Sequence, residues 1–465
     1  MSKKSRSLIA TLGVLALLAG VYFGTTVHAR NIAEAFWTEL EPTHSLGNLD
    51  GSDIVKIETS GMTLQRQGDI WELVSLNGDA PPQWLELDQS VIRSWAFILA
   101  TVWAERLVEE FPQDISVFGL DAPAHQITVT DSHGNTAVYL VGDTTPFRTS
   151  YFVMEKGNPA VFVVNAFSVE RLRFTVDNLR SRALFPPLPL HELSRMRLES
   201  PQASIEVVPM PEPPPPHLAS SFSRFAMTSP YSVARSVDSH TLQTLLGPLS
   251  NRRIEEFVND SPLSLSPYGL DNPVRLTLEF GGADGRIGIE LLIGNQAGEA
   301  RYAKLANAPG VFTVDGLEPL VNIRPLELAD RFPLAIGIGA ATSFSISGRE
   351  RILNADIQSE GRETAFYLNG RRAEETTFRN WFQSAIGLRI DAEMPMGSFP
   401  RAADTETITI EFRLRNPPGE RVSITLIPFN RDFYALSQEG AIEFLIARSQ
   451  VNSIFQAADM IVFQD

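Results

Sequence analysis

Two aspartates, Asp121 and Asp271, stand in nearly the same six-residue setting 150 positions apart: FGLDAP from Phe118 to Pro123 and YGLDNP from Tyr268 to Pro273. A carboxylate kept twice in one turn is a candidate acid or base, but that chemistry also needs a second titratable group across a cleft. The nearest candidates are two doublets, Glu109-Glu110 after Arg106 and Glu255-Glu256 after Arg252-Arg253. A hydrolytic carboxylate pair requires a fixed separation around a substrate. Doublets that recur beside arginines read better as ion-pair networks at a helix end. The turn has a structural reason of its own. Glycine tolerates positive φ, aspartate can bond backbone N–H groups two residues on, and proline biases the residue before it toward extended backbone. Phe118, Gly119, Leu120, Asp121 and Pro123, with Tyr268, Gly269, Leu270, Asp271 and Pro273, are therefore expected to form a structural joint, the aromatic and the leucine packing inward.

No other constellation assembles a reaction. The seven histidines are scattered, with none beyond His240, and no HExxH, EF-hand loop, P-loop or GxSxG is present. No catalytic residue, metal or cofactor is assigned. Trp71, Trp84, Trp95, Trp103 and Trp381 could line a glycan cleft. Trp95 and Trp103, eight residues apart on one expected helix face, fit core packing better.

The joint sits inside a longer repeated order. From Asp53, DIVKIETS, MTLQRQ and IWELVSLNG alternate as a strand meander. LDQSVIRSWAFILATVWAERLV then changes to helical period, with Asp88 as N-cap. After the turn, HQITVTD, TAVYLVGD, SYFVME and AVFVVN read as four strands, closed by a helix over FSVERLRFTVDNLRSRALF. The order repeats from Leu193, with DSHTLQTLLGPLSNRRIEEF as the helix and LEPLVNIRPLELADRF as the closing segment. In both copies a glycine, Gly142 or Gly294, ends the second strand after the turn, and an aromatic follows, Tyr151 or Tyr302. A third pass begins near Thr342 and lacks the turn, FPRAADTE standing in its place. The proline run 209–216 interrupts the second copy and reads as a stiff solvent loop or a partner-binding peptide. Arg180 and Arg331, near the ends of the closing helices, read as structural.

The N-terminus places these units. Lys3, Lys4 and Arg6 precede an uncharged run from Leu8 to Val27, long enough to cross about 30 Å of bilayer as a helix. Val27-His28-Ala29 also resembles a signal-peptidase site, so an uncleaved anchor and a segment cleaved after Ala29 both fit. The net charge of -16 excludes nucleic acid as a partner, and the absence of cysteine excludes disulfides and thiolate chemistry. The expected fold class is α+β: an N-terminal transmembrane helix followed by three tandem repeats, each a strand meander, a helix, a four-strand antiparallel meander and a closing helix. The expected divisions are 1–30 for the tip and anchor, 31–52 for a linker, then repeats over 53–185, 193–335 and 342–465.

The ordered series FGLDAP, VYLVGD, SYFVM, VFVV and its second copy YGLDNP, ELLIGN, RYAKL, VFTV resembles the bacterial domain-of-unknown-function family 4340. The resemblance covers the first two units well and the third weakly. It implies a single-pass envelope protein associated with ABC transporter and gliding-motility-type gene clusters, and it carries over no catalytic residue. The expected function is a non-enzymatic, membrane-anchored extracytoplasmic scaffold or accessory subunit of an ABC-type complex, held in the inner membrane by Leu8 to Val27 and partnered by a permease. The alternatives are a periplasmic ligand- or glycan-binding module and, last, an envelope hydrolase using dispersed carboxylates.

Overall fold

The computed structural model describes residues 44–464, apart from 202, 219, 220, 222, 283, 284, 361, 362, 396, 399 and 401–406. The expected anchor, Leu8 to Val27, and most of the segment that replaces the third turn lie outside the described residues. No helix among the described residues is long and apolar enough to cross a membrane. The chain divides into two compact units, one ending at Arg182 and one beginning at Ala183.

The first unit contains β1 (His44–Leu46), β2 (Ile54–Thr59), β3 (Met62–Gln67), β4 (Ile70–Leu76), α1 (Gln89–Ala100), β5 (Val102–Ala104), β6 (Arg106–Glu109), β7 (His125–Asp131), β8 (Thr136–Thr144), β9 (Ser150–Glu155), β10 (Val161–Asn165), α2 (Ala166–Leu172) and α3 (Val176–Leu179). Its main sheet is antiparallel throughout, in the order β4-β3-β2-β7-β8-β9-β10-β6. The pair β2–β7 joins the two meanders into one sheet. Side chains alternate across it: Ile127, Val129 and Asp131 of β7 are buried and their neighbours are not, as a strand with one covered face requires. Helix α1 covers that face with Ile92, Trp95, Ala96 and Leu99, and begins where the Asp88 carboxylate accepts from the N–H groups of Ser90 and Val91. Trp95 is fully buried; its indole N–H donates to the Arg171 carbonyl at 2.6 Å and its ring stacks on Phe174.

The second unit holds β11 (Leu193–Glu199), β12 (Ser204–Pro209), β13 (Phe225–Ser229), β14 (Arg235–Ser236), α4 (Ser239–Leu246), β15 (Ile254–Asn259), β16 (Val274–Gly282), β17 (Gly285–Ala297), β18 (Ala300–Leu305), β19 (Val311–Asp315), α5 (Glu318–Asn322) and α6 (Pro325–Leu328). It continues with β20 (Ala341–Gly348), β21 (Arg351–Glu360), β22 (Glu363–Leu368), β23 (Arg371–Ala373), α7 (Glu375–Ile386), β24 (Ala392–Glu393), β25 (Ile408–Leu414), β26 (Arg421–Pro428), β27 (Phe433–Gln438), β28 (Ala441–Ala447) and α8 (Arg448–Asp459). Two nine-stranded antiparallel sheets result, β14-β13-β12-β11-β16-β17-β18-β19-β15 and β23-β22-β21-β20-β25-β26-β27-β28-β24. Their buried side chains run together into one core.

These sheets correct the α+β expectation. Among the described residues the protein is mostly β, with 44% strand, 20% helix and four antiparallel sheets. The helices are shorter than their periodicity suggested. Helix α1 stops at Ala100, and the stretch expected to continue it enters β5 and β6 instead. In the second unit Gly247-Pro248 converts the helix to a 3-10 turn, and Ile254 to Asn259 form an edge strand. Glu109, Glu255 and Glu256 therefore lie on sheet edges, with Glu110 just beyond one, and not at helix ends. The proline run, none of whose residues is buried, leads into a 3-10 turn, Pro216–Leu218, in which Leu218 is buried and His217 bonds the Ala234 carbonyl at 3.0 Å.

Candidate functional site

The repeated turn is built the same way twice. Asp114 caps a 3-10 turn over Ile115–Phe118 by accepting from the Ser116 N–H. Gly119 then takes the left-handed conformation at φ 66°, its N–H donating to Ser116 and that of Leu120 to Ile115. In the second copy Gly269 has φ 67°, and the N–H groups of Gly269 and Leu270 donate to Ser266 and Leu265. This is a Schellman ending, with glycine where an L side chain would be strained and a leucine sealing the turn. Leu120 and Leu270 are buried. Pro123 and Pro273 lie just before β7 and β16, the strands they were expected to launch.

The partner of each turn is the glycine expected to end the second strand of the following meander, but that strand runs on past it: Gly142 lies within β8, which continues to Thr144, and Gly294 within β17, which continues to Ala297. A Cβ on Gly142 would stand 2.2 Å from the Phe118 carbonyl oxygen, and one on Gly294 would stand 2.1 Å from that of Tyr268. The aromatics close the joint edge to face, Phe118 on Phe152 at 5.0 Å and Tyr268 on Tyr302 at 5.2 Å. The residue equivalent to Tyr302 is thus Phe152, one position beyond the expected Tyr151. Around the second joint Leu270, Leu292 and Val311 form a small core separate from the main one.

Asp121 and Asp271 are exposed, and no hydrogen bond or ion pair engages either among the described residues. The expected aspartate bond to the backbone is made by Asp114 instead. Among the described residues no hydrogen bond or ion pair ties either carboxylate to a second titratable group, so no acid–base pair is formed at the turn. The arginines found other partners: both Oδ atoms of Asp315 accept from Nη1 of Arg252 at 3.0 Å, and Arg180 is buried against Asp177 and Trp84.

The tryptophans separate. Trp71, Trp95 and Trp381 are core residues, while Trp103, on β5 and off the helix, is 55% exposed. Trp103 lines a groove of about 830 Å³ in the first unit, also bounded by Asn48, Asp50, Phe97, Ser168 and Arg171. Phe97 is 63% exposed on the outer side of α1; Phe167 is 67% exposed, with the Arg171 guanidinium 4.5 Å from its ring centre. The Asp50 carboxyl is held below the usual carboxylate range by the hydroxyl and N–H of Ser52. No sequence motif marks this groove.

A second polar cluster joins the two sheets of the second unit. Arg235 is buried; Nη1 donates to Gln438 at 2.6 Å, and the Gln438 amide donates to the Pro333 carbonyl. The Arg235 guanidinium lies 4.4 Å from the Phe444 ring centre. Burial pushes it down to about 10, while nearby Glu443 opposes the shift. Tyr231 donates to Glu393 at 2.6 Å, and burial raises its phenol well above the ordinary value. Ser232 donates to Glu443 through both N–H and hydroxyl. The geometry of this cluster is that of a clamp between sheets.

The architecture defines a tandem β protein of helix-covered antiparallel sheets, jointed by a repeated Schellman turn. The chain belongs to the family described as Domain of unknown function (DUF4340), whose model matches residues 45–219 and 226–392. The family therefore recognises two tandem regions, not the three repeats expected. Its boundaries also straddle the sheets: the first match runs past β12, and the second starts within β13 and reaches β24. No curated protein and no solved structure matches the chain.

Proposed function

We propose that this protein is a non-enzymatic, membrane-anchored extracytoplasmic scaffold or accessory subunit of an ABC-type transport complex. The observation that carries the reading is the role of the duplicated residues. The turn kept in both copies joins strands and leaves its aspartate idle in solvent, as a structural module would and a duplicated catalytic centre would not. Long antiparallel sheets and their edges offer surface for partners. The apolar run Leu8 to Val27, after three basic residues, supplies the inner-membrane tether and puts the bulk of the chain outside the cytoplasm. Affinity capture of the full chain from membranes in mild detergent tests this. Co-recovery of a permease or ATPase is the expected result; recovery of the chain alone overturns it.

The groove at Trp103 favours one second reading, a periplasmic ligand- or glycan-binding module. Thermal shifts across a broad panel of envelope glycans measure it, and a flat response removes it.

A further inference from the structure

The exposed phenylalanines and tryptophans are unevenly placed. Phe97, Trp103, Phe111, Phe147 and Phe167 belong to the first unit, and among the described residues Phe332 alone belongs to the second. Three of them meet at the groove. Phe97 and Trp103 line it, and Phe167 adjoins it through Arg171, which lines the groove and stacks on the Phe167 ring. A cluster of exposed aromatics of this kind marks an interaction surface.

The rim is also private to the first unit. Asp88 and Asp238, Gly119 and Gly269, and Asn165 and Asp315 each lie 150 positions apart. At that same offset Phe97, Trp103, Phe167 and Arg171 meet Gly247, Arg253, Leu317 and Val321. The shared scaffold does not require these aromatics, so their presence needs another cause.

Their place in the chain supplies one. Trp103 on β5 pairs directly with Ser45 on β1, next to the first described residue. Only the segment 28–43 separates that strand from Val27 and the uncharged run, and even fully extended it spans no more than about 55 Å. We propose that the Phe97–Trp103–Phe167 rim rests on the lipid surface, in the boundary between headgroups and acyl chains. The inference rests on the anchored reading above and adds the face by which the first unit meets the bilayer. Tryptophan and phenylalanine suit this layer, having apolar bodies that partition at the interface. Arg171 can lay its stem along Phe167 and reach a phosphate. Asn48 and Asp50 are polar, which suits the headgroup layer and limits insertion to the aromatic rim. A chain of net charge -16 gains nothing from anionic lipid, so the contact is apolar and does not depend on headgroup charge.

The test is tryptophan quenching in the full chain, reconstituted into phosphatidylcholine vesicles with and without acyl chains brominated near the headgroup. In a Trp37→Phe background, which removes the tryptophan ten residues beyond Val27, the parent chain should show a bromolipid-quenched component that is lost on adding Trp103→Phe. The same component should be largely lost in Phe97→Ser/Phe167→Ser, which keeps Trp103. Both variants alter exposed side chains, and unchanged melting verifies their folding. Adding phosphatidylserine should not increase the quenching. In the Trp37→Phe background, equal fractional quenching with and without Trp103→Phe overturns the inference. Protection of Trp103 from aqueous iodide without bromolipid quenching assigns the groove to a protein or glycan, and also overturns it. Vesicle flotation separates the two levels: a chain that fails to float refutes the anchor itself, whereas one that floats with Trp103 unquenched refutes only the lipid-facing rim.

Discussion

Gly142→Ala isolates the joint from every other feature of the first unit. Gly142 has no positive φ, so alanine there meets a purely steric penalty. The new methyl would stand 2.2 Å from the Phe118 carbonyl oxygen and 3.0 Å from Leu120 Cγ. Ordinary contact lies more than about an ångström further out, and the obstructing atom is backbone on a turn already fixed by two hydrogen bonds. Overpacking costs about 1–3 kcal/mol, and with backbone on both sides the upper end, about 3 kcal/mol, is expected. For a unit of this size that lowers the melting midpoint by about 6–12 °C. Five of the six tryptophans, Trp37, Trp71, Trp84, Trp95 and Trp103, precede Arg182 and only Trp381 follows it, so intrinsic fluorescence during heating reports mainly the first unit. Gly142→Ala should move that transition, and Gly294→Ala should leave it largely in place. Asp121→Asn changes an exposed, unpartnered side chain and should stay within about 0.5 kcal/mol of wild type. The reasoning fails if Gly142→Ala melts with wild type, or if Asp121→Asn destabilises as strongly as the glycine variant.

Other expectations follow from single contacts. Gln438→Ala removes the partner of both the buried Arg235 guanidinium and the Pro333 carbonyl, and should cost about 2 kcal/mol in urea unfolding of the second unit. Asp88→Ala removes the acceptor for two N–H groups at the start of α1, a loss of about 1 kcal/mol that Asp88→Asn should largely restore. Glu374 caps α7, and the N–H groups of Thr376 and Thr377 hold its carboxyl down to about 2 from an ordinary 4.5. A depressed carboxylate stabilises fully above its unfolded pKa and loses that effect as pH falls through the folded one. The stability gap between wild type and Glu374→Gln should therefore be open at neutral pH, narrow below about pH 4.5 and close toward pH 2; a gap independent of pH would refute this.

What the sequence made legible was local. The turn declared itself because glycine at a left-handed position and proline before a strand act on their own neighbours. The strands of β7 and β25 declared themselves by alternation along a few residues. Edge strand β6 was hidden because its partner, β10, lies more than fifty residues further on, and nothing in RLVE forces that pairing. Trp95 and Trp103 show the same limit from the other side. Their spacing fits one helix face, but α1 ends between them, leaving one ring in the core and the other in solvent. Periodicity tells which face a residue would share if the element continued; it does not tell where tertiary pairing ends the element. The same distinction separates the repeated joint from the rim proposed to face lipid. Residues repeated in both copies are the ones whose work is local, and they build the joint. The proposed rim lies where the copies diverge, at Phe97, Trp103, Phe167 and Arg171, which no repeat-based reading could select because they answer to no demand of the shared scaffold.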